Sequence, residues 1–289
     1  MHNKITKPGQ IGSKISFIGG GNMAGALIGG LCDELDIVTS NTICHHSDIH
    51  IVDVNPDSLK RLSGKFGVST STDIDESLRA ADVIVLAVKP QQMREVAEKL
   101  APHINNQLII SIAAGIRFSD LSRWLNNYQV IVRTMPNMPA LIHQGITGIY
   151  AGPNVDAEQR AIANAIMSAV GTTVWLDDEA LLDPLTAISG SGPAYVFYFI
   201  EAMQQAAQDM GFTEEQGRQL AMATFKGAAT MACNSTEPVA TLRERVTSKG
   251  GTTHAAISSM EQSGVAREII VALKAAARRS QELGDEFGS

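Results

Sequence analysis

Gly250, Gly251, Thr252 and Thr253 stand together in VTSKGGTTHAAISSM, residues 246–260, where apolar spacing marks the entrance to a helix. The first N–H groups of a helix have no internal acceptor, and the helix dipole favours negative charge beside them. Glycines let such groups approach a bound anion closely. In isolation the stretch reads first as an ordinary turn and helix cap, with an anion cradle as the functional alternative. A second chemical signal lies in FIGGGNMAGAL, residues 17–27, where Gly19, Gly21 and Ala24 fit the spacing G-x-G-x-x-A. In a strand–turn–helix setting the first glycine makes the tight turn and the second admits a pyrophosphate. The small third residue lets helix and strand pack.

A carboxylate belongs to the same pattern. Asp53 ends the apolar run in IHIVDVNPD, residues 49–57. At the end of a second strand it would bond adenosine ribose hydroxyls and repel a 2′-phosphate, which favours NADH over NADPH. Asp53 lies further from Gly19 than the usual separation of about 20 residues, and an insertion around NTICHHSD accounts for the extra length. A turn carboxylate at Asp53, with Asn55 as the ribose contact, is the alternative.

These residues need elements to position them. KISFI (14–18), IHIV (49–52), DVIVLAV (82–88), QLIISIA (107–113) and VIVRTM (130–135) are nearly continuous apolar runs. Such runs suit strands of a parallel sheet covered on both faces. PDSLKRLSGKF, PQQMREVAEKL and RFSDLSRWL lie between them with apolar residues at helical spacing. The alternation predicts an open, doubly wound α/β sheet of the Rossmann type. After Asp177 the composition turns Ala- and Met-rich and helical, as in AYVFYFIEAMQQAAQDMGF and REIIVALKAAARRSQEL. The reading is therefore three parts: an extension over 1–13, a dinucleotide-binding domain over 14–176, and an all-α domain over 177–289. Too few charges remain to solvate every face of those helices. Packing against a second chain is expected, so the protein is read as a homo-oligomer.

Composition bounds the rest. The chain has 289 residues, 44% hydrophobic and 18% charged, which fits a globular protein. A net charge of −7 without a basic run argues against nucleic acid as a partner. Cys32, Cys44 and Cys233 have neither metal-ligand spacing nor a disulfide pattern, so no metal site is expected. Charges interrupt every apolar run long enough to consider as a membrane span, and MHNKITKPGQIGS lacks the apolar core of a signal peptide. A cytoplasmic location follows as an expectation.

Six segments occur in order: FIGGGNMAGAL, AVKP (87–90), SIAAG (111–115), RTMPNMPA (133–140), SGSGPAYVFYFIEAM (189–203) and VTSKGGTTHAA. Together they closely resemble the pyrroline-5-carboxylate reductases, which reduce a cyclic imino acid to proline. The resemblance spans about 14–283 and implies a Rossmann domain followed by a helical dimerisation domain. It implies NAD(P)H as cofactor, held by Gly19, Gly21, Asn22, Met23 and Ala24 in the glycine loop, by Asn55, by Ala87, Val88 and Lys89, and by Ile112 to Ala114. It places the substrate on Glu179, Gly251, Thr252 and Thr253. In this reading N–H groups of Gly251, Thr252 and Thr253 hold the carboxylate, and the Thr253 hydroxyl makes the catalytic contact to the ring nitrogen. Lys249 stands where the family usually has Pro, Ile74 where it often has Asn, and Arg245 where relatives have Asn or an apolar residue.

Other residues carry two readings each. Pro136 and Asn137 shape the nicotinamide pocket or form a rigid turn. Ser189 and Ser191 are read as caps of the helix starting near Pro193, with a loop bordering the site as the alternative. His254 is left out of catalysis. A 3-hydroxyacid dehydrogenase would need a catalytic lysine on a mid-chain helix, for which Lys226 in TFKGAAT is the near match. A non-catalytic dinucleotide sensor would have no need of a second anion site.

Overall fold

The computed structural model describes residues 13–32 and 44–288. The expected extension over 1–13 lies outside them except for Ser13, and so does the start of NTICHHSD. Eight strands form one sheet among the described residues: β1 (Ile15–Ile18), β2 (Ile49–Val52), β3 (Ser69–Ser71), β4 (Val83–Leu86), β5 (Leu108–Ser111), β6 (Ile131–Met135), β7 (Gly145–Ala151) and β8 (Gly171–Trp175). Their order is β3-β2-β1-β4-β5-β6-β7-β8. The chain winds outward from β1 in one direction and from β4 in the other. The switch between them opens a crevice at the carboxyl ends of these strands.

Every neighbouring pair is parallel except β6 and β7, where Thr134 faces Ile149 in antiparallel register. The five strands expected from the sequence are all parallel to one another; the antiparallel neighbour, β7, was not among them. Parallel neighbours need a crossover of about a dozen residues or more. The short stretch after Met135 contains only a 3₁₀ turn, Met138–Ile142, and returns the chain directly.

Helices α1 (Asn22–Cys32), α2 (Pro56–Phe66), α3 (Met93–Leu100), α4 (Phe118–Trp124), α5 (Ala157–Ser168) and the short α6 (Leu182–Leu185) accompany the sheet. Phe17, Val83 and Val85 point into the core shared with α1, α2 and α5. Ile18, Ile84 and Leu86 point into the core shared with α3 and α4. Both faces of β1 and β4 are covered, which is why Ser16 is the one polar residue in the two strands. α2 starts on an Asn55 cap with Pro56 in its first turn and ends at Gly67 with φ 68°, the usual asymmetry of helix ends.

Contacts divide the chain after Gly190. Residues up to Gly190 and from Ala276 onward form one unit, and Ser191–Ala275 form the other. The second unit holds α7 (Gly192–Asp209), α8 (Glu214–Cys233), α9 (Val239–Arg245), α10 (Thr252–Gln262) and the first half of α11 (Val265–Gly288). Composition put the change at 176/177, but Asp177–Gly190 belongs by contact with the sheet. Within the second unit, Gly217 of α8 approaches α7 so closely that a Cβ there would stand 3.1 Å from that of Ala207. Tyr198 is 71% exposed and Phe197 56%, with Met222 and Met231 also open on α8. No described helix is long and apolar enough to cross a membrane.

Ser189 and Ser191 do not cap α7. The Ser189 hydroxyl donates to Leu185 O at 3.0 Å, and Ser191, already in helical dihedrals, makes no side-chain cap bond. Thr186–Gly190 is wound as a π-helix, so the preceding backbone is already helical.

Candidate active site

The glycine loop is fixed by backbone geometry. Gly19 sits at φ +103°, and a Cβ there would lie 2.6 Å from Ala87 O. Its N–H donates to Val52 O at 2.8 Å, tying the ends of β1 and β2 together. Gly20 donates its N–H to Asp53 Oδ2 at 2.6 Å, and its carbonyl accepts from Arg61 at 2.9 Å. A Cβ on Gly21 would meet nothing within 4 Å. The second glycine thus presents bare backbone to an open space, as a pyrophosphate requires. α1 starts at the next residue, Asn22, and its first-turn N–H groups have no partners within the helix. Ala24 is buried and Met23 packs partly against the same core.

That open space is a cavity of about 570 Å³ at the carboxyl ends of β1, β2 and β4. Gly19 to Gly21, Asp53, Ile74 and Ala87 to Lys89 line it, with Val96 and Lys99 on the facing side of α3. Its volume lies within the usual range of ligand pockets, about 300–1,000 Å³. Lys99 bonds Glu95 at 2.7 Å at the rim. That bond lowers the Glu95 pKa and raises that of Lys99, so both groups keep their charges near neutrality. Bare glycine backbone, an open crevice and a carboxylate at the end of β2 together fit a dinucleotide.

Asp53 is more heavily committed than its position in the sequence suggests. Oδ2 accepts from Gly20 N, and Oδ1 accepts from Asn55 N at 2.8 Å. The carboxylate both lines the cavity and pins the glycine loop to β2. Asn55 is the cap of α2, its Oδ1 accepting from Asp57 N at 3.0 Å, and it is absent from the cavity lining. Asn137 is similarly committed to structure: it is buried, donates from Nδ2 to Ser189 O at 3.1 Å and accepts from Ile146 N at 3.0 Å. Those bonds favour its rigid-turn reading.

Further along the sheet, Ile112 N–H donates to Leu86 O at 3.2 Å. Ala114 lies on a small crevice shared with Thr134, Met135 and Thr186. Glu179, carried over as a substrate contact, meets protein groups instead. Its Oε1 accepts from Phe118 N at 2.6 Å and from Arg133 Nη1 at 2.5 Å. Sequence reasoning passed over Arg133 as one residue of an apolar run. A cation in a strand buried on both faces was the available signal, because such a charge needs a partner.

The GGTT stretch lies in the Ser191–Ala275 unit and does start a helix, α10, at Thr252. Gly250 holds φ +77°, which a side chain would strain. One correction concerns Gly251, whose N–H donates to Ser248 O at 3.0 Å and is closed within the turn. A Cβ on Gly251 would also stand 2.6 Å from Ser248 Oγ. The first bond into the helix comes from Ala255 N to Gly251 O. The donors left open by helix geometry are therefore those of Thr252, Thr253 and His254. The N-cap, Gly251, has no side chain to satisfy them. The His254 backbone was missed because the sequence argument weighed only its ring. Lys249 is exposed in the preceding turn, Arg245 is paired with Glu237 at 2.6 Å, and Lys226 is exposed on α8.

Comparison with known proteins covers both regions. Residues 179–283 match a family model described as pyrroline-5-carboxylate reductase dimerisation. Residues 14–115 match one described as NADP oxidoreductase, coenzyme F420-dependent. The chain is 44% identical over 276 residues to pyrroline-5-carboxylate reductase of Pseudomonas aeruginosa, covering 95% of this chain and 98% of that protein. It is 40% identical to the Haemophilus influenzae enzyme of the same name, covering 94% and 98%. Among solved structures, the pyrroline-5-carboxylate reductase of Coxiella burnetii superposes with a TM-score of 0.86 at 39% identity, covering 94% of this chain and 98% of that one. The Plasmodium falciparum enzyme, solved with NADP bound, superposes with a TM-score of 0.82 at 28% identity, covering 96% and 100%. With 44% identity over 95% of its length to one such enzyme and the dimerisation model matched over residues 179–283, the chain belongs to the pyrroline-5-carboxylate reductase family.

Proposed function

We propose that the protein reduces the cyclic imine 1-pyrroline-5-carboxylate to L-proline with NAD(P)H. The observation that carries this reading is the 44% identity over 276 residues to a reductase of that name. When bound, the reduced nicotinamide supplies a hydride to the imine carbon. The chain's own work is binding and orientation. Gly19 to Ala24 receive the pyrophosphate, and Ala87 to Lys89 with Ile112 and Ala114 border the rest of the cofactor. The N–H groups of Thr252, Thr253 and His254 hold the substrate carboxylate at the positive end of α10. The Thr253 hydroxyl bonds the ring nitrogen and fixes which face of the imine is presented. A protonated imine is already a good electrophile, so alignment rather than a strong acid is what the protein must provide.

The nucleotide preference we propose is NADH. Asp53 presents a carboxylate to the cavity at the end of β2, where a 2′-phosphate would meet like charge. The Ser191–Ala275 unit is read as a self-association surface, supported by its open aromatic and methionine side chains and by the dimerisation model that matches it. A cytoplasmic setting fits the absence of a cysteine pattern for disulfides. The test follows nicotinamide absorbance with the purified protein: oxidation of reduced cofactor with 1-pyrroline-5-carboxylate, against reduction of oxidised cofactor with 3-hydroxyacids. Turnover confined to the imine is expected. Turnover of hydroxyacids alone would favour the dehydrogenase, and tight cofactor binding with no turnover would favour the sensor.

A further inference from the structure

We infer that Glu179 is a positioning residue for the nicotinamide side of the cofactor cleft, acting through the β5–α4 connection, and is not a ligand of the imine. The inference rests on the reductase reading for which end of the cleft receives the nicotinamide. Its evidence is the geometry around one carboxylate oxygen. Glu179 Oε1 receives Phe118 N–H at 2.6 Å and Arg133 Nη1 at 2.5 Å. Phe118 is the first residue of α4, and Arg117 before it offers no side-chain cap. Glu179, distant in sequence, does the capping instead.

Arg133 is only 7% exposed within β6. A buried guanidinium without its counter-charge is strongly unfavourable, so Arg133 holds the carboxylate in place as firmly as the carboxylate holds Phe118. The connection held between two anchors is Ile112–Arg117. At one end Ile112 N–H is bonded to Leu86 O, and Ala113 N–H to Ser111 Oγ at 3.3 Å. At the other end Phe118 is bonded to Glu179. Between the two anchors lie Ala114 and the left-handed Gly115, at φ +75°. Removing the Glu179 anchor releases one end of the segment that must lie flat beside the cofactor.

A substrate ligand and a positioning residue differ in what they change. Nucleotide affinity is measured without imine, by quenching and transfer of reduced-nicotinamide fluorescence on the full-length protein, beside steady-state KM for the imine. Displacing a reacting group by an ångström can cost about a hundredfold, so Glu179→Ala is expected to weaken nucleotide binding by roughly tenfold or more and to lower kcat. KM for the imine should stay within about twofold. Glu179→Gln keeps an oxygen for Phe118 but removes the charge facing Arg133, so it should fall between wild type and Glu179→Ala. Combined with Arg133→Gln, it should do no further harm, since the two groups act as one unit. If Glu179→Ala does not fold, the Gln variant and the double variant carry the same comparison. A rise in imine KM with unchanged nucleotide affinity would make Glu179 a substrate ligand and overturn the inference. A lower melting temperature with both constants unchanged would also overturn it, leaving only a fold prop. Wild-type protein that binds nucleotide but never turns over the imine would instead overturn the reductase reading.

Discussion

Thr253 and Asp53 are the residues on which the proposed chemistry is most exposed to test. Thr253→Val keeps the shape at the start of α10 and removes only the hydroxyl. A hydrogen bond to a charged or developing centre contributes about 1.5–3 kcal/mol, so kcat/KM should fall roughly ten- to a hundredfold. Nucleotide affinity should not move, and a variant with full activity would reduce Thr253 to a helix-entry residue. At Asp53 a simple loss of binding is uninformative, because the carboxylate also anchors Gly20 and Asn55. The informative quantity is a ratio. Asp53→Asn should weaken both nucleotides through the loosened loop yet shift relative kcat/KM towards NADPH, by about tenfold for one lost charge repulsion near 1.4 kcal/mol. An unchanged ratio would place Asp53 in the loop alone. Gly251 shows why side-chain rules were insufficient at this scale. Its glycine is needed for the turn onto Ser248, not for a donor to the substrate.

At the scale of elements, the five strands and three helices read from the apolar runs are present, because burial on both faces leaves a strong pattern. β3, β7 and β8 were not legible. Ser69–Ser71 is polar and mostly open, Gly145 and Gly148 interrupt β7, and β8 alternates through exposed Thr172 and Val174. Glycine and threonine runs at a sheet edge look like loop when only hydrophobic pattern is read. The glycine loop and the GGTT entrance were legible because their backbone demands fix residue types. The Glu179–Arg133 anchor was not, since it joins segments far apart in sequence. β2 and β3 also carry a pH dependence. His50 lies between the Ser69 and Ser71 hydroxyls at 3.0 Å each, and burial lowers its pKa against a weaker opposing pull from Asp75. The unfolded chain therefore takes up the proton first. His50 contributes stability above its unfolded pKa, near 6.5, and loses it as pH falls through the interval below. Urea melts at pH 7.5 and 5.5 should show a steeper loss for wild type than for His50→Gln; equal slopes would remove His50 from the account.

For the whole molecule, the helical unit leaves several large apolar side chains open, the kind of surface that marks association sites when contiguous. Phe197, Tyr198, Met222 and Met231 are exposed on α7 and α8. Sedimentation should give a dimer or larger assembly, and Phe197→Asp should shift it towards monomer. An active wild-type monomer at low concentration would contradict that reading. The central claim, that nicotinamide and cyclic imine meet on this protein, has a more direct test. Reduced cofactor carrying two deuteriums at C4 of the nicotinamide is incubated with 1-pyrroline-5-carboxylate and the protein, and the proline is analysed by mass and NMR. The account predicts deuterium on the former imine carbon, with one label per proline formed and none without protein. Unlabelled proline, or label left wholly in the nucleotide while the imine persists, would contradict it.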